Sequence, residues 1–242
     1  MTTEPAVAID FYESGEYLKK HPDWHSEDAD WKARNILKII SRNNLAPKAI
    51  CEIGCGSGEI LNVLHGLLSE SVSFSGFDIS PQAITLASKR EKSRLHFELK
   101  ALEAIPATRS FDLGLMIDVF EHVEDFYGFI RKSRDTSRQM IFHIPLDISV
   151  QSIIRVRPLQ RKREKSGHIH FFTKETALAA LRDSGYRVID HFYTGSYTER
   201  PARTVLSAIA KIPRKLFFAI HRDLTVRWLG GYSLMVLAEP GK

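Results

Sequence analysis

The chain has 242 residues, 43% apolar and 26% charged, with 34 Lys and Arg against 29 Asp and Glu and a net charge of +5. This near-average composition, with 14 Gly and 10 Pro, excludes a collagen-like, low-complexity or wholly disordered chain. A chain of this size buries roughly 70% of its unfolded surface and needs no disulfide or metal to hold a core.

The first forty-odd residues are polar and aromatic, with Tyr12, Tyr17, Trp24 and Trp31 among charges. Residues 1–10 carry acids and no basic n-region, so no signal peptide is expected, and no run reaches the ~20 apolar residues of a membrane span. Residues 30–40 read as a helix, closed before Pro47. Residues 49–53 form a short apolar run stopped by glycines, as a buried parallel strand does. A helix over 60–68 and a second strand over 72–77, ending at Asp78, follow. Ser80 and Pro81 pair an N-cap with a first-turn proline and open a helix to about residue 90.

Strands are predicted over 95–99, 111–117 and 139–144, the last stopped by Pro145, with a helix over 126–134. Thr173 and Thr176 cap a helix to residue 184, which Gly185 closes. Residues 186–192 and 232–237 complete the strands. Strands alternating with helices imply an α/β fold with βαβ units and a mostly parallel sheet covered on both faces. Cys51 and Cys55, the two cysteines, make no disulfide framework and point to a reduced, cytoplasmic protein.

The strongest local signal is the run Glu52-Ile53-Gly54-Cys55-Gly56-Ser57-Gly58-Glu59 between a strand and a helix. Alternating glycines allow a tight turn and close approach of a ligand to the backbone, and the following helix start presents N–H groups there. Asp78 at the end of the next strand suits ribose hydroxyls, which serves NAD and S-adenosylmethionine alike. Glu59 stands where a dinucleotide fingerprint has its third glycine, and Glu52 beside the loop disfavours a pyrophosphate and suits a cationic methionine moiety.

The same segment resembles motif I of the class I S-adenosylmethionine-dependent methyltransferases. Phe77-Asp78-Ile79-Ser80 resembles their ribose-binding motif, and Asp118-Val119-Phe120-Glu121-His122-Val123 their segment after the fourth strand. Residues 167–173, which include His168 and His170, are similar to a loop of the ubiquinone-biosynthesis O-methyltransferases. The resemblance covers about residues 48–192. It implies a Rossmann-like seven-stranded sheet with an antiparallel last strand, and S-adenosylmethionine held by Glu52, Gly54, Cys55, Gly56, Gly58, Asp78, Ile79, Ala101, Leu102 and Asp118. Ala101 stands where the family often has an adenine-binding acid.

For chemistry, methyl transfer to a hydroxyl needs a proton acceptor, and His122, His143 and His168 are the candidates. His122 has the plainer alternative of capping or packing the next helix and His143 that of a hydrogen-bonded strand histidine, and a structural role is the expectation for His170. Asp118, Glu121 and His122 at i, i+3, i+4 spacing offer one helical face that suits Mg²⁺, although the expectation is an enzyme without a metal. A nicotinamide-dependent oxidoreductase and a non-catalytic cofactor-binding protein remain the alternatives.

The charge is uneven. Residues 151–229 carry 16 Lys and Arg against 6 Asp and Glu, a net of +10 that leaves −5 for the rest. The expected organisation is one domain with a helical cap (1–45), a cofactor-binding core (46–150) and two basic lid inserts (151–170 and 196–230). Those inserts suggest a small or glycan-like acceptor, anionic or lipid-linked, ahead of nucleic acid. The basic amphipathic stretch 204–221 suggests peripheral contact with an anionic membrane.

Overall fold

The structure, a computed structural model, describes residues 26–199 and 205–241. Tyr12, Tyr17 and Trp24, the part of the 1–45 cap before residue 26, and Arg200 and Arg203 lie outside the described residues. Seven strands form one sheet: β1 (Ala49–Ile53), β2 (Ser73–Asp78), β3 (Leu95–Leu99), β4 (Phe111–Ile117), β5 (Ser137–Leu146), β6 (Tyr186–Thr194) and β7 (Tyr232–Pro240). Their order is β3-β2-β1-β4-β5-β7-β6, and only β7 runs against its neighbours. This is the expected Rossmann-like arrangement.

The helices are α1 (Ala29–Arg42), α2 (Glu59–Leu67), α3 (Pro81–Ala87), α4 (Phe126–Ser133), α5 (Val150–Arg155), α6 (Arg157–Ser166), α7 (Lys174–Asp183), α8 (Ser196–Glu199), α9 (Val205–Ile220) and α10 (Arg222–Leu229). Ser80 accepts from Ala83 N–H and caps α3, and Thr173 with Thr176 forms the capping box of α7. Several boundaries differ from expectation, two of them for a clear local reason. β5 runs through Pro145 to Leu146, because Pro145 pairs with Ser233 of β7, where the missing N–H does not break the strand. The residue after α7, Ser184, is its cap, and Gly185 follows at φ +84°.

Side chains alternate across the sheet and build two cores. Cys51, Ile53, Phe120, Phe142 and Tyr186 pack on one side with α4 and α7; Ile50, Leu61, Phe74 and Leu115 pack on the other with α1 and α2. Phe120, Phe142 and Phe74 are at most 1% exposed, so truncating any of them to alanine would cost roughly 3–5 kcal/mol. The chain turns back between β1 and β4, which places a crevice at the carboxyl ends of these strands. No helix among the described residues is long and apolar enough to cross a membrane.

Candidate active site

The crevice floor is the glycine loop. Gly54, Gly56 and Gly58 have φ of +73°, +54° and +76°. A Cβ on Gly54 would lie 2.7 Å from Val119, and one on Gly58 would lie 2.5 Å from the Phe97 ring, so both positions require glycine. The N–H groups of Gly54 and Cys55 donate to the carbonyl of Phe77, at 2.8 and 3.0 Å. Gly56 N–H donates to Oδ2 of Asp78 and Ser80 N–H to its Oδ1, at 2.8 and 2.9 Å. Asp78 thus ties the loop to β2, and each of its oxygens retains acceptor capacity for a hydroxyl in the cleft.

The cleft has a volume of about 760 Å³. Nine of the ten residues expected on the cofactor side line it; the tenth, Gly58, sits beneath it as the N-cap of α2. Ala101 and Leu102 form the wall beyond β3. Glu59 turns away to pair with Arg90. The lining carries eight acidic residues (Asp28, Glu52, Glu59, Asp78, Glu103, Asp118, Glu124 and Asp125), of which Glu59 is paired with Arg90, against three lysines (Lys32, Lys100 and Lys162). Such a surface suits a cationic ligand and disfavours a diphosphate. Glu52 is 1% exposed, and its Oε2 has no hydrogen-bond partner among the described residues. Burial, reinforced by Asp78 and opposed by Lys32, pushes its carboxyl up to about 8.

Opposite the loop stand two separate histidine clusters. In the first, His143 is 2% exposed, its Nδ1 is 2.6 Å from Asp118 Oδ1 and its Nε2 is 2.9 Å from Thr194 Oγ1. Both ring nitrogens are occupied, which makes His143 a strut between β5 and β6. Lys32 of α1 reaches the other oxygen of Asp118 at 2.8 Å, and Trp31 meets the His143 ring edge-on at 5.8 Å. Burial acts to raise the Asp118 carboxyl, but the His143 and Lys32 charges outweigh it and hold the group well below its usual range. Sequence reasoning missed Trp31 and Lys32. Their signal was weak, because a lysine within an amphipathic helix ordinarily faces water.

In the second cluster, His168 Nδ1 is 2.7 Å from Asp147 Oδ2, and Lys162 Nζ is 3.7 Å from the other oxygen. The His168 and His122 rings meet edge-on at 4.8 Å. Burial, then the neighbouring His168, lowers His122 to about 3, so its imidazole is neutral at neutral pH. Asp147 was not anticipated either. His170 contacts the carbonyl oxygens of Val123 and Glu124 through Nε2 and is not among the residues that line the cleft.

Asp118, Glu121 and His122 do not share a helical face. Asp118 has φ +56°, and only a single 3₁₀ turn, Phe120–His122, follows. The atoms that converge instead belong to Glu121, His122 and His168, within 4.8 Å of one another. Two imidazoles and one buried carboxyl form a donor set richer in nitrogen than Mg²⁺ ordinarily takes.

The basic inserts also differ from expectation. Residues 151–170 reach the cleft through Lys162, Ser166 and His168, whereas none of the described residues of 196–230 lines it. An anionic acceptor therefore has no cradle of cations inside the cleft.

Residues 24–191 match the model of a family described as a methyltransferase domain. The chain is 30% identical over 126 residues to the mitochondrial ubiquinone biosynthesis O-methyltransferase of Candida albicans, covering 50% of this chain and 35% of that protein. It is 22% identical over 134 residues to the ubiquinone biosynthesis O-methyltransferase of Rickettsia canadensis, covering 51% and 57%. The chain thus spans less than two thirds of the length of either relative. Among solved structures, the magnesium protoporphyrin IX methyltransferase of Synechocystis with bound S-adenosylhomocysteine superposes with a TM-score of 0.60 at 14% identity, covering 97% of this chain and 98% of that one.

Proposed function

Because this chain belongs to the class I S-adenosylmethionine-dependent methyltransferases, we propose that it transfers the methyl group of S-adenosylmethionine to a hydroxyl of a small acceptor. The observation that carries the reading is the acid-lined crevice over three left-handed glycines, with Asp78 at its ribose end and Glu52 buried without a full set of partners. S-adenosylmethionine supplies an electrophilic methyl on a sulfonium. Asp78 accepts from ribose hydroxyls, the 54–57 backbone borders the methionine moiety, and Glu52 faces its ammonium. Ile79, Ala101 and Leu102 enclose the base.

The acceptor enters between His122, His168 and Lys162. Asp147 fixes the His168 tautomer by accepting a hydrogen bond from Nδ1–H, which leaves Nε2 to receive the acceptor's hydroxyl proton. His122, kept neutral by burial, packs against that ring and holds its plane. His143, with both nitrogens committed, positions Asp118 and Lys32 at the wall. A phenol or sugar hydroxyl fits this arrangement.

Calorimetry with S-adenosylhomocysteine tests the cofactor half; no heat of binding at high micromolar ligand would overturn it. Asp78→Ala should weaken that binding by roughly 10–100-fold through loss of charge-assisted hydrogen bonds. Labelled S-adenosylmethionine with a panel of phenols and sugars tests the acceptor half, and label appearing only on amines would overturn oxygen as the site.

A further inference from the structure

Helix α9 turns an apolar stripe outward. Ile209, Ile212, Leu216 and Ile220 recur every three or four residues and are 57%, 54%, 60% and 81% exposed, with Phe217 beside them at 60%. The inward face combines Phe218, stacked on Tyr232 at 4.8 Å, with two cations: Lys211 is 7% exposed, and Arg214 donates to the carbonyl of Gly230. Packing therefore turns the helix's apolar stripe to solvent. The surface continues onto its neighbours. α10 packs against α9 and shows Leu224 and Trp228 at 46% and 60% exposure. α5 packs against α10 and shows Ile153 and Ile154 at 56% and 77%, with Val156 at 51% just beyond.

This apolar face is rimmed by cations. The segments 150–166 and 205–229 expose nine Lys and Arg (Arg155, Arg157, Arg161, Lys162, Arg163, Lys165, Lys215, Arg222 and Arg227) against Glu164 and Asp223, with Lys162 paired to Asp147 and Arg227 to Glu175. α6, the most basic of these helices, also forms the cleft wall through Lys162 and Ser166. From the outward apolar stripe and its cationic rim, we infer that the face formed by α5, α6, α9 and α10 docks on the surface of an anionic lipid bilayer.

Charge decides between this occupant and a second copy of the chain. A two-fold interface sets a patch against itself, and here it would bring two strongly cationic rims together across apolar ground. An anionic headgroup layer instead neutralises the rim while the Ile, Leu and Phe side chains enter the acyl boundary, with Trp228 suited to the headgroup level. With no helix among the described residues able to span a bilayer, the contact is peripheral and reversible.

Co-sedimentation of the full chain with phosphatidylcholine vesicles, with and without about one third phosphatidylglycerol, tests the inference. The protein should pellet with the anionic vesicles at least about tenfold more than with the neutral ones, and raising salt should weaken the binding. Leu216→Ser with Ile220→Ser should lower binding to anionic vesicles by about tenfold or more, while S-adenosylhomocysteine affinity and thermal midpoint stay near wild type. Arg155→Gln with Arg157→Gln should weaken binding to anionic vesicles by about tenfold at low salt and reduce its salt dependence in part. Equal pelleting with both vesicle types, or unchanged binding by both double variants, would overturn the inference. So would a stable dimer in sedimentation velocity that Leu216→Ser with Ile220→Ser dissolves.

Discussion

Nζ of Lys32 lies 2.8 Å from Oδ2 of Asp118, joining α1 to the turn after β4 across the wall of the crevice. The lysine is only 14% exposed, so burial alone would lower its pKa, yet Asp118 outweighs that effect and raises it. Lys32→Met would remove one partner of a largely buried pair and leave Asp118 with His143 alone. Destabilisation of roughly 2–3 kcal/mol is expected, at the low end for such pairs because Asp118 keeps His143 and is 24% exposed. Urea unfolding measures this, and a midpoint unchanged from wild type would show that the pair contributes nothing.

The buried carboxyl of Glu52 gives the cofactor site a pH dependence. With its pKa at about 8, the free protein holds Glu52 protonated at neutral pH. A cationic ligand favours the carboxylate, so binding releases a proton and strengthens as pH rises toward 8. Calorimetry with S-adenosylhomocysteine between about pH 6 and 8 should show affinity climbing by up to about tenfold per unit. In Glu52→Gln the curve should flatten and the affinity at pH 8 should fall. A flat wild-type curve would place the ligand's ammonium elsewhere.

The strands were legible because strands buried on both faces read as apolar runs closed by glycine or proline, as at residues 49–53 before Gly54 and 139–144 before Pro145. The glycine loop and Asp78 were legible because their spacing follows from one strand–turn–helix unit. The site's far wall was not. Lys32 reaches Asp118 from 86 positions earlier in the chain and Asp147 meets His168 across 21, pairings set by how α1 and the 147–168 segment fold over the sheet. The i, i+3, i+4 reading of Asp118, Glu121 and His122 failed because Asp118 adopts a left-handed conformation, which breaks helical spacing before it begins. The stripe on residues 209–220 was visible as a pattern, but which face it presents depends on packing that periodicity does not encode.

His122 makes stability depend on mild acid. Its folded value of about 3 lies below the ordinary 6.5, so between these limits the unfolded chain binds a proton that the folded chain refuses. Its cost is absent above about pH 6.5 and grows as pH falls. At about pH 5 it amounts to roughly 2 kcal/mol. Glu52, raised from 4.5, acts in the opposite sense over part of the same range, so the wild-type profile alone blends the two. The difference between wild type and His122→Asn isolates the histidine. That difference should shift by roughly 2 kcal/mol against the wild type between about pH 6.5 and 5, and no shift would show that the imidazole charges without penalty.

His168 and Asp147 separate proton transfer from cofactor binding. Asp147 is held below its usual range because the hydrogen bond from His168 and the charge of Lys162 outweigh burial, so it stays a carboxylate throughout the working range. It can therefore keep the Nδ1 proton of His168 in place at every pH where transfer is measured. For a hydroxyl acceptor, His168→Ala should lower kcat by roughly 10²–10⁴-fold with little change in S-adenosylhomocysteine affinity. Asp147→Asn, which loses the charge but keeps an acceptor oxygen, should fall between that variant and wild type. The loss should shrink as the acceptor's own pKa drops, because an acceptor already ionised needs no base. A constant loss across acceptors of different acidity would make His168 a wall of the pocket and move the proton acceptor elsewhere.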